Sequence, residues 1–140
     1  MRAKINLITL LADDGPALAA WYRDALGFQP LGGKLDVYTE FEHEGVRFAV
    51  CSRSELIRLT SAPSYQESRR GQAVELAFEV DRLEDVDPAY EALIAKGATP
   101  VTGPQDLPWG QRAAFFADPE GNIHEVFANM PKPEVESNKS

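Results

Sequence analysis

A carboxylate set into an apolar strand is the residue of this sequence best placed for chemistry. Residues 118–121 contain a proline and a glycine at spacings typical of a tight turn, and an apolar run follows. In the strand leaving this turn, Glu125 shares a face with Ile123 and Phe127, while Val126 lies on the other face. A carboxylate in such a setting needs a partner or has a function. The alternative is an edge strand with Glu125 in water.

The only cysteine, Cys51, is a second reactive side chain, but its neighbours predict a packing role. Phe48 and Val50 indicate a strand, in which a lone thiol is more often a small core residue than a nucleophile. With a single cysteine no internal disulfide can form, which fits a reducing compartment.

Composition restricts the classes of function. The chain has 140 residues, 44% of them hydrophobic, enough for one domain with a real core. It carries 14 Lys and Arg against 22 Asp and Glu, a formal net charge of −8, which argues against nucleic acid as a partner. The acidity suits a cationic or neutral partner, or solubility alone. No leader and no apolar run of about 18 residues is seen, so we expect a soluble, cytoplasmic protein.

The elements that must position these residues follow in order along the first half. Residues 4–11 predict a strand, and residues 13–16 predict a helix start with an aspartate cap and a proline. The helix ends at Gly27. Its apolar stripe packs on the core and consists of Leu18, Trp21, Tyr22 and Leu26. Residues 36–42 and 46–51 then form a predicted hairpin.

The second half repeats this order after a different middle segment. Residues 54–59 predict a short helix, followed by a polar linker in which Arg69 and Arg70 are either solvated or available to an anionic ligand. Residues 73–80 then predict a strand and residues 83–96 a helix, with Pro88 in its first turn and Gly97 at its end.

Internal similarity supports a duplication. Residues 25–30 correspond to 95–100 at an offset of 70, and residues 44–45 to 120–121 at an offset of 76, with a longer loop at 106–110. We therefore predict a single domain over residues 1–130 made of two repeats, about 4–51 and 73–128, with a linker at 52–72. Residues 131–140 have no apolar periodicity and predict a disordered tail.

These repeats carry a family resemblance. Residues 21–28, together with the turn at 118–122 and the following Glu125, resemble the vicinal oxygen chelate superfamily of glyoxalases, bleomycin-resistance proteins and extradiol dioxygenases. The similarity covers residues 4–128. It implies an α+β fold of two tandem βαβββ modules, each a curled mixed sheet with a helix on its outer face, that form a cup-shaped pocket. It also implies a homodimer.

The enzymes of that superfamily bind a divalent metal through four positions, two in each module. The resemblance carries these onto Asn6, Ala49, Glu75 and Glu125, and Ala49 cannot ligate a metal. Two carboxylates and an amide oxygen could hold a hard cation weakly, whereas catalytic sites usually include imidazole. We therefore expect no cofactor, with a metal on Asn6, Glu75 and Glu125 as the alternative. Neither His43, at a turn, nor His124, on the opposite face from Glu125, completes the set.

The metal-free bleomycin-resistance members of the superfamily suggest a function, the binding of a small molecule. Those proteins are acidic dimers that hold a cationic drug in a groove between modules. If Glu125 faces the pocket, Phe115 is its cross-strand neighbour and Gln111 shares the face. Trp109 either stacks on a planar ligand or anchors its loop. The predicted ligand-binding residues are Asn6, Tyr38, Phe48, Glu75, Trp109, Gln111, Phe115 and Glu125.

Three hypotheses follow from the resemblance and the residues together. The first is a metal-independent protein that binds a cationic or aromatic small molecule. The second is a divalent-metal lyase, isomerase or dioxygenase that uses Glu75 and Glu125. The third is a metal-free acid–base enzyme, because two carboxylates facing one cavity repel and one pKa should rise. In each case the partners are a small molecule and a second copy of the chain, with no nucleic acid and no membrane.

Overall fold

The computed structural model describes residues 1–67 and 71–131, which fold as an α+β protein. The chain divides into two compact units, Met1–Gln72 and Ala73–Ser140. Arg69, Arg70 and all but the first residue of the predicted tail lie outside the described residues. Within the part described, no helix is long and apolar enough to cross a membrane.

The first unit is a three-stranded mixed sheet with a helix on one face. In chain order its elements are β1 (Leu7–Ala12), α1 (Gly15–Leu26), β2 (Tyr38–Phe41), β3 (Arg47–Ser52) and α2 (Arg53–Thr60). The strand order is β1-β3-β2, with β1 parallel and β2 antiparallel to β3. The predicted hairpin and short helix are thus confirmed.

Local signals set the limits of α1. The side chain of Asp14 accepts a hydrogen bond from the Ala17 N–H at 3.0 Å, and Gly27 ends the helix at φ 80°. This left-handed conformation is one that glycine adopts without a steric penalty. Tyr22 on the buried face of α1 packs its ring 5.7 Å from that of Phe48, in an aromatic core.

The second unit is a four-stranded mixed sheet. Its elements are β4 (Ala77–Glu79), α3 (Val86–Ala95), β5 (Thr99–Leu107), β6 (Gln111–Ala117) and β7 (Ile123–Asn129). The strand order is β4-β7-β6-β5, with β4 parallel to β7 and the other pairs antiparallel. The two units therefore share one topology, in which β4, β7 and β6 correspond to β1, β3 and β2. The counterpart of β5 in the first unit is a single bridge between Pro30 and Phe41.

Several predicted boundaries are wrong. The first strand begins at Leu7 rather than at residue 4, and the strand predicted over residues 73–80 is only Ala77–Glu79. Helix α3 begins at Val86 rather than at residue 83, because residues Leu83–Asp85 form a 3₁₀ turn. Asp106 and Leu107, predicted as loop, belong to β5, because they pair with Arg112 and Gln111. For the three strands, pairing with a distant strand, which local sequence does not encode, determines where the strand begins or ends.

The turn between β6 and β7 is built around a buried aspartate. Asp118 Oδ1 accepts hydrogen bonds from the backbone N–H groups of Glu120 at 2.9 Å and Asn122 at 3.0 Å. The Asn122 side chain donates to Oδ2 at 2.8 Å. Gly121 has φ 85°, as the predicted turn requires. These bonds fix the β6–β7 register and therefore which residue lies opposite Glu125.

Candidate carboxyl site and its surroundings

Strand β7 presents Glu125 on a partly exposed face. Glu125 lies directly across from Phe115 on β6 and from Ala77 on β4. His124 and Val126, the residues on either side of Glu125 in β7, point to the other face and are buried. The predicted pairing of Glu125 with Phe115 is confirmed, and Gln111 lies on the same face by strand alternation.

Glu75 is held next to Glu125 by the backbone that precedes β4. The Glu125 N–H donates to the Leu76 carbonyl at 3.0 Å, and the Leu76 N–H donates to Nδ1 of His124 at 3.1 Å. The Glu75 and Glu125 side chains hydrogen-bond to each other, and such a bond between two carboxyl groups requires one proton. Burial, followed by the hydrogen bond to Glu75 and its charge, raises the pKa of Glu125 to about 7.

His124 supports this pair from the opposite face of β7. Its buried ring makes edge contacts with Phe78 at 5.5 Å and Phe116 at 6.1 Å between centroids. Because Nδ1 accepts from Leu76, we assign the proton of the neutral ring to Nε2, which lies 3.7 Å from Asp118 Oδ2. The sequence placed His124 on the correct face but gave no sign of its bond to Leu76.

A chain of polar side chains continues along the Glu125 face. Trp109 Nε1 donates to Gln111 Oε1 at 3.1 Å, and Gln111 Nε2 donates to Asn129 Oδ1 at 3.2 Å. Asn129 Nδ2 donates in turn to Glu79 Oε2 at 3.4 Å. Trp109 is 68% exposed, so this chain orients an aromatic ring that faces solvent. Glu79 and Asn129 were not among the predicted site residues, although alternation from Glu125 reaches Asn129.

Among the ligand-binding residues predicted in the first unit, Phe48 lies in the core. It is 4% exposed and packs in the aromatic core with Tyr22 and Phe41, so it is not available to a ligand. Tyr38 is half-exposed, and its hydroxyl donates to Glu40 Oε1 at 3.1 Å. The hydrogen-bonded guanidinium of Arg47 holds the pKa of Glu40 below its usual range.

The structural counterpart of Glu75 in the first unit is Leu7, one residue along the chain from the predicted Asn6. Thr9 pairs with Ala49 in the parallel β1–β3 register, as Ala77 pairs with Glu125 in β4–β7. Counting back two residues from each reaches Leu7 and Glu75, so Leu7 and not Asn6 corresponds to Glu75. The two positions expected to hold a metal in this unit are therefore Leu7 and Ala49, and neither has a donor atom.

The first unit does not fit a divalent metal. Asn6 Oδ1 accepts a hydrogen bond from an Arg47 terminal nitrogen at 3.1 Å, and Arg47 makes two further bonds to Glu40. A guanidinium thus already occupies the amide oxygen that a metal would need. In residues 1–67 and 71–131, no group of three or more His, Cys, Asp and Glu side chains is placed to hold a metal ion. The carboxyl pair of the second unit would have to bind a metal with two ligands.

The fold and the duplicated topology define a class of α+β proteins built from paired strand–helix–strand modules. A model of the Glyoxalase/Bleomycin resistance protein/Dioxygenase superfamily matches residues 4–126. The chain belongs to that superfamily.

Individual proteins are similar to this chain in sequence or in fold. The chain is 29% identical to a glyoxalase/bleomycin resistance protein/dioxygenase from Nocardioides, with a TM-score of 0.77 over 96% of this chain and 90% of that one. A family enzyme from Burkholderia phytofirmans PsJN has the same fold, with a TM-score of 0.81 at 23% identity over 91% of this chain and all of its own. Uncharacterized protein YraH of Bacillus subtilis is 28% identical over 127 residues, which is 89% of this chain and 97% of YraH.

Proposed function

We propose that this protein binds a small organic cation, without a metal, on the exposed sheet face of its second unit. The observation that carries the proposal is the carboxyl pair of Glu75 and Glu125, which share a hydrogen bond and one proton. Release of that proton creates two adjacent negative charges, which repel each other unless a cation lies between or beside them. A positively charged group is therefore the ligand that this pair favours.

Aromatic side chains on the same face favour a cation that carries a ring. Phe115 lies directly across from Glu125, and Phe127 lies on the same face two residues along β7. Trp109 is exposed and oriented by Gln111. Aromatic faces attract cations within about 6 Å of the ring centroid and stack on planar groups. The net charge of −8 adds a general attraction for cations.

A calorimetric titration with two matched probes tests the proposal. Benzyltrimethylammonium carries a ring and a fixed positive charge, whereas benzyl alcohol carries the ring alone. At pH 8 we expect saturable binding of the cation to the wild-type protein and binding at least about tenfold weaker for the neutral probe. We expect Glu125→Gln to weaken binding of the cation by about tenfold or more and to leave the affinity for benzyl alcohol unchanged.

Glu91→Gln is the control, because it removes one carboxylate from an exposed position on α3. It should leave both affinities within about twofold of the wild type. Equal binding of the two probes, or an equal loss in Glu91→Gln and Glu125→Gln, would contradict the proposal, since only overall charge would then matter.

Acid–base catalysis by the same pair is a second candidate function. A carboxyl group with a pKa of about 7 can both take and give a proton near neutral pH. This function predicts that Glu75→Gln abolishes turnover of a substrate while binding persists. Loss of binding together with turnover would favour the binding protein.

The divalent-metal lyase, isomerase or dioxygenase remains the family-based alternative. It would use Glu75 and Glu125, and it predicts stoichiometric metal in the purified protein and a higher melting temperature with manganese, nickel or zinc. The positions of Leu7 and Ala49 argue against it, because they remove two of the four expected ligands.

A further inference from the structure

The segment that carries Glu75 lies just outside the sheet of the second unit. Strand β4 begins at Ala77, so Glu75 and Leu76 precede it. Glu75 is exposed, whereas Leu76 is tied to β7 by two hydrogen bonds, one from its N–H and one to its carbonyl. These two bonds therefore help to determine where the Glu75 side chain lies.

One of the two bonds replaces a regular bond of the sheet. The hydrogen bonds of a parallel ladder are evenly spaced and repeat every two residues along a strand. The Val80 N–H donates to the Phe127 carbonyl at 2.8 Å. Carried back four residues, this repeat would direct the Leu76 N–H to the Ile123 carbonyl. It donates instead to Nδ1 of His124 at 3.1 Å, so a side chain supplies the acceptor where the ladder ends.

The first unit has the same position with a different side chain. Phe48 is the structural counterpart of His124 in the parallel registers of the two units. There the ladder continues to Leu7, the counterpart of Glu75, which pairs with Arg47. The ladder of the second unit stops two residues short of Glu75. A phenylalanine at this position thus accompanies regular pairing, whereas the histidine accompanies a segment that leaves the ladder and is held by a side chain.

The ring of His124 is itself fixed in the orientation that this bond needs. It is 1% exposed and contacts the rings of Phe78 and Phe116. The proton of the neutral ring lies on Nε2, which faces Oδ2 of Asp118 at 3.7 Å, and this leaves Nδ1 as an acceptor. His124 can therefore hold Leu76 in place before a ligand arrives.

We propose that His124 is a positioning residue for the cation site, which sets cation affinity by holding the Leu76 backbone and hence the Glu75 side chain beside Glu125. This inference rests on the proposed function, because cation affinity is one of its readouts. A side chain that is already in place loses less conformational freedom on binding than a free one does. Loss of the His124 bond should therefore weaken binding of the cation, although His124 lies on the buried face of β7.

Three variants of buried residues on β7 separate positioning from stability. His124→Phe removes the acceptor but keeps a ring, as Phe48 does in the first unit. His124→Asn retains an acceptor oxygen close to the position of Nδ1. Val126→Ala is the matched control, because it opens a cavity on the same buried face. At pH 8 we expect His124→Phe to bind benzyltrimethylammonium at least about fivefold more weakly than the wild type, and the other two variants to bind within about twofold of it.

Nuclear magnetic resonance gives a readout that needs no ligand. The wild-type protein should show a scalar coupling between the Leu76 amide nitrogen and Nδ1 of His124. It should also show a nuclear Overhauser contact between the side-chain methylene groups of Glu75 and Glu125. In His124→Phe that contact should disappear, and the Leu76 amide should exchange with solvent at least about tenfold faster while the Val80 amide keeps its protection.

The two readouts distinguish failure of this inference from failure of the proposed function. A Glu75–Glu125 contact that persists in His124→Phe, or a wild type without the scalar coupling, would overturn the inference. So would cation affinity in His124→Phe equal to that of the wild type, or an equal loss of affinity in Val126→Ala. If the wild type binds no cation, the proposed function fails, and the resonance measurements alone decide whether His124 positions Glu75.

Discussion

At the scale of single residues, the chemistry of the second unit depends on a carboxyl group whose pKa is raised to about 7. Glu125 is partly buried and hydrogen-bonded to Glu75, and both effects favour its uncharged form. Strand alternation in the sequence was sufficient to predict its face and its neighbour Phe115. The bond that places Glu75 beside it runs through Leu76 and His124, 48 residues apart in sequence, and no local pattern predicts it.

The raised pKa of Glu125 predicts how stability changes with pH. The folded-state value of about 7 lies above the ordinary 4.5, so its contribution to stability is complete below about pH 4.5 and is lost as the pH rises through 7. Solvent screening reduces the effect, and we expect the free energy of unfolding to fall by about 1 kcal/mol between pH 5 and pH 8. Glu125→Gln, which stays neutral, should lose less over this range.

Urea unfolding of the wild-type protein, Glu125→Gln and Glu91→Gln at both pH values provides the measurement. Glu91→Gln should follow the wild type, because its carboxylate is exposed on α3. The same pH dependence in all three proteins would contradict the assignment of the shared proton to the Glu75–Glu125 pair.

His124 is expected to matter for stability because it satisfies a backbone donor. His124→Leu removes the acceptor of the Leu76 N–H, and we expect a loss of about 2–3 kcal/mol in the free energy of unfolding, measured with urea. His43→Leu is the comparison, since His43 is exposed at a hairpin turn and should cost less than about 1 kcal/mol. Equal losses in the two variants would contradict the positioning role of His124.

At the scale of secondary-structure elements, the turn between β6 and β7 sets the register of the site. Asp118→Ala removes the acceptor of three hydrogen bonds inside a buried turn, and we expect it to cost about 2–4 kcal/mol in urea unfolding. Asp118→Asn retains an acceptor oxygen and should recover at least about half of that loss. A loss below about 1 kcal/mol for Asp118→Ala would show that strand pairing alone fixes the register.

The elements that sequence predicted correctly are those with local signals. Asp14 and Gly27 limit α1 through bonds and backbone angles within a few residues, and the turn at Asp118 is equally local. The errors arose where distant pairing decides. The family resemblance assigned Asn6 as the counterpart of Glu75, but parallel pairing of β1 with β3 gives Leu7. Similarly, burial of Phe48 depends on which face of the sheet α1 covers, and alternation alone does not specify that face.

At the scale of the whole molecule, the family resemblance predicts a homodimer. Sedimentation velocity should give twice the chain mass of 15.4 kDa at micromolar concentration. Because the chain has a net charge of −8, two copies repel at long range, and we expect added salt to strengthen the dimer by screening. A chain that sediments as a monomer at all concentrations and salt levels would contradict the prediction.

The central claim, that the second unit binds an organic cation without a metal, is tested most directly by one titration. Benzyltrimethylammonium is titrated calorimetrically into protein dialysed against EDTA, and again after addition of manganese, nickel or zinc. We predict saturable binding to the EDTA-treated protein and equal or weaker binding with metal, because a metal ion would compete for Glu75 and Glu125. Binding that disappears after EDTA treatment and returns with a stoichiometric metal would contradict the claim and favour the metal-dependent enzyme.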